Sequence, residues 1–352
     1  MTESKQPMTG WAFVNAVLTG TALAVIVALI PNAVLSEIFK YLIGNGWTAL
    51  EPLATAARVF QYGLPLMAGV LIALQFQMNP MQAVTVGGAA FLGSGAWRVV
   101  PVDGVATTQL VGVGDMLNTM LTAAVAVLFI RVLRDRLGSL TLILLPILVG
   151  LGAGFVGVLT LPYVSAVTQA AGQLVNGFTE LAPLPMSILI GMSFALFIVS
   201  PLSTVALSLA IGLDGVAAGA SAMGVAATTA VLVVSSWKVN RPGVTLAIAL
   251  GSMKMMMPNF FRRPIMAVAF LANAVVSAIP VALLNVTGTP ASGGFGLVGL
   301  IGPIASLPSL GLPMMLVVWI VVPFASAYAL HWLFTKVLKL YSPEIFKFEV
   351  TR

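Results

Sequence analysis

Cysteine is absent from the 352-residue sequence, and histidine occurs once, at position 331. Without cysteine the chain has no disulfide framework, no thiolate metal site and no thiol that could carry a phosphoryl group. A single histidine gives little support to a multi-histidine metal site or a phosphohistidine relay, and its place beside Trp332 favours an interfacial position. The sequence therefore predicts no metal site, no cofactor and no catalytic residue.

Charge is also scarce: 7% of the residues are charged, 59% are hydrophobic, and the mean hydropathy is +1.07. Such a composition predicts a polytopic, all-α membrane protein, embedded in a lipid bilayer. The net charge of +6 is explained by basic cytoplasmic loops, and no basic patch with interleaved aromatic residues indicates a nucleic-acid partner. Walker, nucleophile-elbow and dinucleotide motifs are absent, which argues against an ATP-driven pump or a membrane hydrolase and leaves transport or sensing.

The apolar runs predict about ten transmembrane helices with both termini in the cytoplasm. The first run should end at Pro31, with an amphipathic helix over residues 33–43, and a tight break is expected at Met78-Asn79-Pro80. Arginines after residue 130 and the basic tail over residues 336–352 mark the cytoplasmic side. The predicted spans cover residues 11–30, 59–77, 81–97, 114–130, 140–161, 185–199, 202–218, 222–237, 264–284 and 313–334.

Two stretches favour re-entrant hairpins over full spans. Residues 244–263 hold an apolar run too short to cross a bilayer, bounded by basic residues at both ends and containing Lys254. Residues 290–309, rich in glycine and proline, should enter from the opposite side. An ionisable group at membrane depth is tolerated inside protein or beside a water-filled cavity, so Lys254 is a candidate site residue. The alternative is that Lys254 snorkels from a buried helix end to the cytoplasmic interface.

A weak internal similarity predicts a parallel repeat, with units at residues 59–161 and 185–287. Substrates commonly bind near the midplane at such a repeat interface. Asp115 and Asn118 share one helix face and become candidate ligands for a neutral polyhydroxyl solute or a cation, unless Asp115 serves only to stabilise a helix N-terminus. Asp214, in a Leu-Asp-Gly sequence, has the pattern of a turn or helix end.

Several long stretches resemble the phosphotransferase-system EIIC-like membrane family, which includes regulators of the perfringolysin O toxin gene. They are IPNAVLSEIFK, MSILIGMSFALFIVSPLSTVALSLAIGLDGVAAGA, LGSMKMMMPNFFRRPI and NVTGTPASGGFGLVGLIGPIA. The resemblance implies one EIIC-like domain over residues 1–352, a homodimer in the bacterial inner membrane and a sugar site at the hairpins. By position it carries the site onto Lys254, Pro258 and Asn259 in one hairpin and Ser292, Gly293 and Gly294 in the other.

The sequence departs from the family pattern at the residues that serve phosphorylation. It lacks a phosphocysteine, a fused IIA or IIB region, a mid-membrane histidine and the Gly-Ile-Thr-Glu sequence of glucose-type permeases. Coupled phosphorylation would require separate IIA and IIB partners. The predicted function is an inner-membrane permease that moves a small polar solute, such as a sugar, by alternating access. The alternatives are a membrane sensor that regulates gene expression and an ion or metabolite channel.

Overall fold

A computed structural model describes residues 9–102, 104–133, 136–290 and 292–348 of the chain. These residues are mostly helical and form two compact units. The first unit contains described residues from 9–24 and 63–161, and the second contains described residues from 25–62 and 162–348. A separate apolar core lies in each unit, and alanine and valine are the commonest residues in both.

The α-helices follow one another with short joints, as long apolar runs broken by proline and glycine predict. Their bounds, in chain order, are α1 (Gly10–Gly44), α2 (Glu51–Tyr62), α3 (Leu64–Gln75), α4 (Pro80–Gly93), α5 (Met116–Leu133), α6 (Thr141–Leu145), α7 (Gly152–Phe178), α8 (Pro183–Phe197), α9 (Thr204–Ile211), α10 (Gly215–Ser236), α11 (Pro242–Ala249), α12 (Met257–Arg262), α13 (Met266–Leu283), α14 (Ile301–Leu316) and α15 (Val322–Trp332).

Within the described residues, five helical stretches are long and apolar enough to cross a membrane, and a sixth if one broken helix pair counts as a span. That pair is Thr48–Tyr62 with Leu64–Gln75. This count confirms a multi-span helical architecture, although it is lower than the predicted ten. The difference arises because several predicted spans are shorter helices and others merge into longer stretches. The five are Met116–Leu133, Thr141–Phe178, Gly215–Ser236, Met266–Leu283 and Val298–Val337.

The prediction that the first helix ends at Pro31 is wrong. Helix α1 continues through Pro31 to Gly44, so no separate amphipathic helix begins at residue 33. Proline is tolerated inside a membrane helix when neighbouring groups satisfy the backbone carbonyl that it leaves without a donor. Near the proline, the Asn32 side-chain amide donates to Gln61 Oε1 of α2 at 2.6 Å. The side chain of Glu37, another polar group in this helix, lies outside the described residues.

A two-stranded antiparallel hairpin, which the sequence did not predict, is added to the helical architecture. Strand β1 (Trp97–Val102) pairs with β2 (Val105–Leu110), with Trp97 opposite Leu110 and Val102 opposite Val105. The Asp-Gly sequence between two valine-rich segments is a hairpin signal that hydropathy alone does not detect. Most of its side chains are exposed, so the hairpin adds little to the core of the first unit.

Helices α3, α4 and α5 form the core of the first unit. The predicted break before Pro80 is confirmed: Asn79 caps α4, its side chain accepting from Gln82 N while the Gln82 side chain accepts from Asn79 N. Helices α3 and α4 approach closely, since a Cβ at Gly69 would lie 2.6 Å from the Val86 carbonyl oxygen. At the end of α5, the Arg131 guanidinium lies 4.7 Å from the Phe76 ring centroid, a cation–π contact.

Helix α10 is the centre of the second unit, and nearly all of its residues are buried. A helix that is apolar all round must be surrounded by protein or lipid, and small residues let its neighbours approach. A Cβ at Gly224 would lie 2.1 Å from the Gly191 carbonyl oxygen of α8, and one at Gly219 would lie 2.0 Å from the Val286 carbonyl oxygen. These contacts bring α8 and the loop after α13 directly against α10.

The 40-residue stretch Val298–Val337 is not one straight helix. Gly311 has φ of 67° and ψ of 162°, values that end a helix. Trp319 Nε1 donates to Ser306 Oγ at 2.8 Å across this break, which shows that the segments on either side of Gly311 fold against each other. Residues 301–310 therefore form one helical segment, and residues 312–332 form a second one that includes α15.

Candidate functional site

Three breaks in the helices of the second unit meet in one place. The first is the joint between α8 and α9, the second is the turn between α11 and α12, and the third is the loop between α13 and α14. We call this meeting place the junction and define it by residues 200–208, 251–254 and 292–298. The two predicted hairpins, residues 244–263 and 290–309, contribute the last two segments.

Lys254 joins the first hairpin to the joint between α8 and α9. It lies on a 3₁₀ turn, Met253–Met256, and is partly buried. Its ammonium group donates to the carbonyl oxygens of Ser200 at 2.5 Å and Leu202 at 2.7 Å. These carbonyls follow the end of α8, where the helix dipole favours a positive charge. Lys254 thus stabilises a broken backbone segment, and its contacts differ from those expected of a snorkelling side chain.

Hydroxyl groups hold the second hairpin against α9 and α10. Thr204 Oγ1 donates to the Gly294 carbonyl oxygen at 2.8 Å, and Ser221 Oγ donates to the Gly293 carbonyl oxygen at 2.7 Å. Further out, Gly288 N donates to the Gly215 carbonyl oxygen at 2.9 Å. These bonds fix the loop between α13 and α14 to α10 at Gly215 and at Ser221. They also give donors to backbone carbonyls that would otherwise lack them.

Glycine at positions 293 and 294 allows this approach. A Cβ at Gly293 would lie 2.1 Å from Ser208 Oγ, and a Cβ at Gly294 would lie 2.3 Å from Val205 N. The two hairpins also reach each other, because a Cβ at Gly251 would lie 2.9 Å from Val298 Cγ1. The tips of both hairpins and the joint before α9 thus form one continuous contact region.

Ser208 carries an unusual hydroxyl group at the junction. The side chain is fully buried, and its Oγ has no hydrogen-bond partner among the described residues. Ser187 and Ser277, also in the second unit, share this property. A buried polar atom without a partner loses its hydration without compensation, so each such group calls for an explanation. Ser208 differs from the other two because it lies against Gly293 at the hairpin tip.

The structure brings together four of the eight predicted site residues: Lys254, Ser292, Gly293 and Gly294. Ser292 is buried, and its hydroxyl closes a local turn by accepting from Thr289 N at 2.8 Å. Pro258 is buried in the first turn of α12. Asn259 faces the C-terminal segment, donating to the carbonyl oxygens of Ile345 at 3.0 Å and Lys347 at 2.7 Å.

That C-terminal segment is the described part of the predicted tail, whose residues 349–352 lie outside the described residues. It is anchored rather than extended: Asn240 Nδ2 donates to the Phe346 carbonyl oxygen at 2.7 Å, and Phe348 N donates to Asn240 Oδ1 at 2.7 Å. The Phe346 side chain is fully buried, and Tyr341 lies edge-on to it. Burial raises the pKa of Tyr341 to about 12.

Asp115 and Asn118 lie in the first unit, where their contacts connect helices. Asp115 Oδ1 accepts from Asn118 N at 2.9 Å at the start of α5, the alternative role that the sequence left open for this carboxylate. The fully buried Asn118 donates to the carbonyl oxygens of Gly93 at 2.5 Å and Gly157 at 2.7 Å, and accepts from Thr160 Oγ1 at 2.8 Å. Asn118 therefore ties α4, α5 and α7 together.

Asn273 makes the same arrangement in the second unit. It is fully buried on α13 and donates to the carbonyl oxygens of Ala227 at 2.9 Å and Pro323 at 3.1 Å. Ser326, three residues after Pro323, donates to Asn273 Oδ1 at 2.5 Å, as Thr160, three residues after Gly157, does to Asn118. One asparagine in each unit thus connects three helices. The only histidine, His331, bonds through Nδ1 to Ser235 Oγ of α10 at 2.9 Å.

Comparison with known protein families decides the classification. The family model described as "Phosphotransferase system, EIIC" matches residues 15–348, nearly the whole chain. The chain belongs to the EIIC family. As an EIIC protein it is a multi-pass membrane protein, and the resemblance seen in its sequence is confirmed. No curated protein matches the chain.

Sequence reasoning missed three junction residues of this EIIC protein, Ser200, Thr204 and Ser208, and the neighbouring Ser221. Thr204 and Ser208 lie within a run that hydropathy identifies only as an apolar span, and Ser200 and Ser221 lie at the boundaries between predicted spans. A usable signal was the Ser-Pro pair at positions 200 and 201, because the residue before a proline avoids helical geometry. This pair was interpreted as a boundary between two spans. An interpretation as a helix break inside the membrane would have indicated the hydroxyl groups that follow it as site candidates.

Proposed function

We propose that this EIIC protein is an inner-membrane permease that binds a small polar solute, such as a sugar, at the junction and moves it by alternating access. The observation that carries the proposal is the meeting of two hairpin tips and a helix break around polar groups in an apolar unit. Irregular backbone at membrane depth is tolerated where it is buried in protein or lines a cavity. Transporters commonly place their substrate at such broken helices.

Lengths and charges support a re-entrant placement of the two hairpins. Helix α11 has eight residues, which give a rise of about 12 Å, less than half of a bilayer core. Two basic residues, Lys238 and Arg241, precede this helix, and two more, Arg262 and Arg263, lie at the end of α12. Both ends of the hairpin therefore carry the positive charge typical of the cytoplasmic face. The second hairpin reaches the same junction after pairing Gly288 with Gly215 at the opposite end of α10.

This placement offers a simple route for alternating access. Each hairpin would cover the junction from one side of the membrane, so movement of one tip would open the site to that side only. Both termini would then lie in the cytoplasm. By family membership we also propose a homodimer, with separate IIA and IIB proteins supplying the phosphoryl group if uptake is coupled to phosphorylation.

The test measures uptake of labelled sugars into liposomes that contain the purified protein. Thr204→Val preserves side-chain shape but removes the hydroxyl that holds the Gly294 carbonyl, and it should reduce uptake about 5-fold, as expected for the loss of about 1 kcal/mol. Thr228→Val is the matched control, because Thr228 Oγ1 also donates to a carbonyl of another helix, that of Ala195 at 2.9 Å. Equal uptake by both variants, or no saturable uptake by the wild type, would contradict the proposal.

A further inference from the structure

Four carbonyl oxygens at the junction each already accept a hydrogen bond from a side chain of the protein itself. The carbonyl oxygens of Ser200 and Leu202 accept from Lys254, and those of Gly293 and Gly294 accept from Ser221 and Thr204. A neutral polyol needs acceptors for its hydroxyl protons as well as donors for its oxygens. At these four oxygens one of the two lone pairs is already used, so a polyol hydroxyl would have to share the oxygen with a side chain of the protein.

The junction instead retains donor capacity. An ammonium group has three N–H donors, and Lys254 has polar contacts with two carbonyl oxygens among the described residues, which leaves one donor available. Lys254 as a residue is only partly buried, although its ammonium group lies among backbone carbonyls. Ser208 adds a hydroxyl group that has no partner among the described residues. Together they form a site that favours a ligand rich in acceptor atoms.

The charge of the junction also favours a ligand rich in acceptor atoms, and in particular an anion. Its three segments contain one charged residue, Lys254, and no aspartate or glutamate. A desolvated ammonium group is costly without a countercharge, and contacts with carbonyl dipoles compensate only part of that cost. A carboxylate brought by a ligand would supply the missing charge through a charge-assisted hydrogen bond, which is stronger than a neutral one.

The spacing of these groups sets the size of the ligand. Lys254 binds the Leu202 carbonyl just before α9, and Ser208 lies six residues further along the chain, within that helix. At the rise of an α-helix, six residues correspond to about 9 Å. A six-carbon sugar acid has its carboxylate and a distal hydroxyl separated by a distance of this order. Resting on the proposed function, we infer that the junction selects an anionic polyhydroxyl solute, a sugar acid, over the neutral sugar of the same skeleton.

The experiment compares matched acid and neutral probes on the detergent-purified full chain. Binding of gluconate, glucuronate and galacturonate is measured by calorimetry beside glucose and galactose. At least one acid should bind roughly 10-fold more tightly than its neutral counterpart. Lys254→Gln keeps a hydrogen-bond donor but removes the charge, and it should abolish this preference.

Ser208→Ala provides a second variant that does not depend on the structural role of Lys254. It removes a hydroxyl that makes no bond within the described chain, so folding should be retained while affinity for the acid falls roughly 5-fold. Ser187→Ala is the matched control, since Ser187 is equally buried and its hydroxyl also has no partner in the described part of the chain, but it lies near the start of α8.

The outcomes separate this inference from the proposed function. Tight binding of a neutral sugar, with weak binding of its acid, would overturn the anionic preference and keep the permease. An acid that binds equally well to wild type, Lys254→Gln and Ser208→Ala would overturn the assignment of these residues. Failure of every probe to bind and to enter liposomes would overturn both proposals.

Discussion

Replacing Asn273 with alanine should lower the free energy of unfolding by about 2–4 kcal/mol, one of the largest effects expected of any single substitution in this chain. The change removes both amide donors and the acceptor that Ser326 uses, so the carbonyl of Ala227 and the hydroxyl of Ser326 lose a partner in a dry interior. Three helices, α10, α13 and α15, lose their shared connection. Thermal unfolding of the purified protein in detergent measures the effect.

Asn118→Ala should have a similar effect, because Asn118 makes the same set of bonds in the first unit. Asn176→Ala is the control: Asn176 is exposed at the end of α7, and its replacement should change the unfolding temperature little. A stability of Asn273→Ala equal to that of Asn176→Ala would show that the buried asparagine does not hold the helices together.

Replacing Gly294 with alanine should strongly weaken solute binding while leaving most of the fold intact. The added Cβ would lie 2.3 Å from Val205 N and 2.4 Å from the Thr204 carbonyl carbon. Because both atoms belong to the backbone, no side-chain rotation can relieve the overlap, and the hairpin tip must move away from α9. We expect affinity for the solute to fall by at least about 10-fold, measured by calorimetry.

Gly243→Ala is the control for this substitution. Gly243 belongs to the first hairpin, has no atom within 4 Å of the added Cβ, and lies near the start of α11. Its replacement should leave binding unchanged. If Gly294→Ala bound the solute as tightly as Gly243→Ala, the tip of the second hairpin would have no part in the site.

The two re-entrant hairpins stay a prediction, and the argument for them is physical. Short apolar runs with basic ends, or with dense glycine and proline, cannot form full spans, so residues 244–263 and 290–309 stood out. The partners of Lys254 could not be predicted, because they are backbone carbonyls of Ser200 and Leu202, about 50 residues away along the chain. Side-chain chemistry in the sequence gives no information about which distant carbonyls remain without donors.

Asn118 shows a second kind of contact that the sequence does not predict. Its i, i+3 relation to Asp115 correctly placed the two residues on one helix turn, but spacing does not reveal which helices surround that turn. The predicted repeat of residues 59–161 and 185–287 stays a prediction. The shared geometry of Asn118 and Asn273 favours a register that matches α5 with α13, whereas apolar sequence similarity had matched α5 with α10.

The most direct test of a solute site at the junction uses the absence of native cysteine. Ser208→Cys introduces the only thiol of the chain, in place of a buried hydroxyl that has no partner among the described residues. Because alternating access would open the junction to water in turn on each side, a small methanethiosulfonate reagent should label this thiol, and saturating solute should slow labelling at least about 5-fold. Labelling of Ser187→Cys should not respond to solute. Labelling of Ser208→Cys that is absent, or unchanged by a solute that binds, would contradict the account.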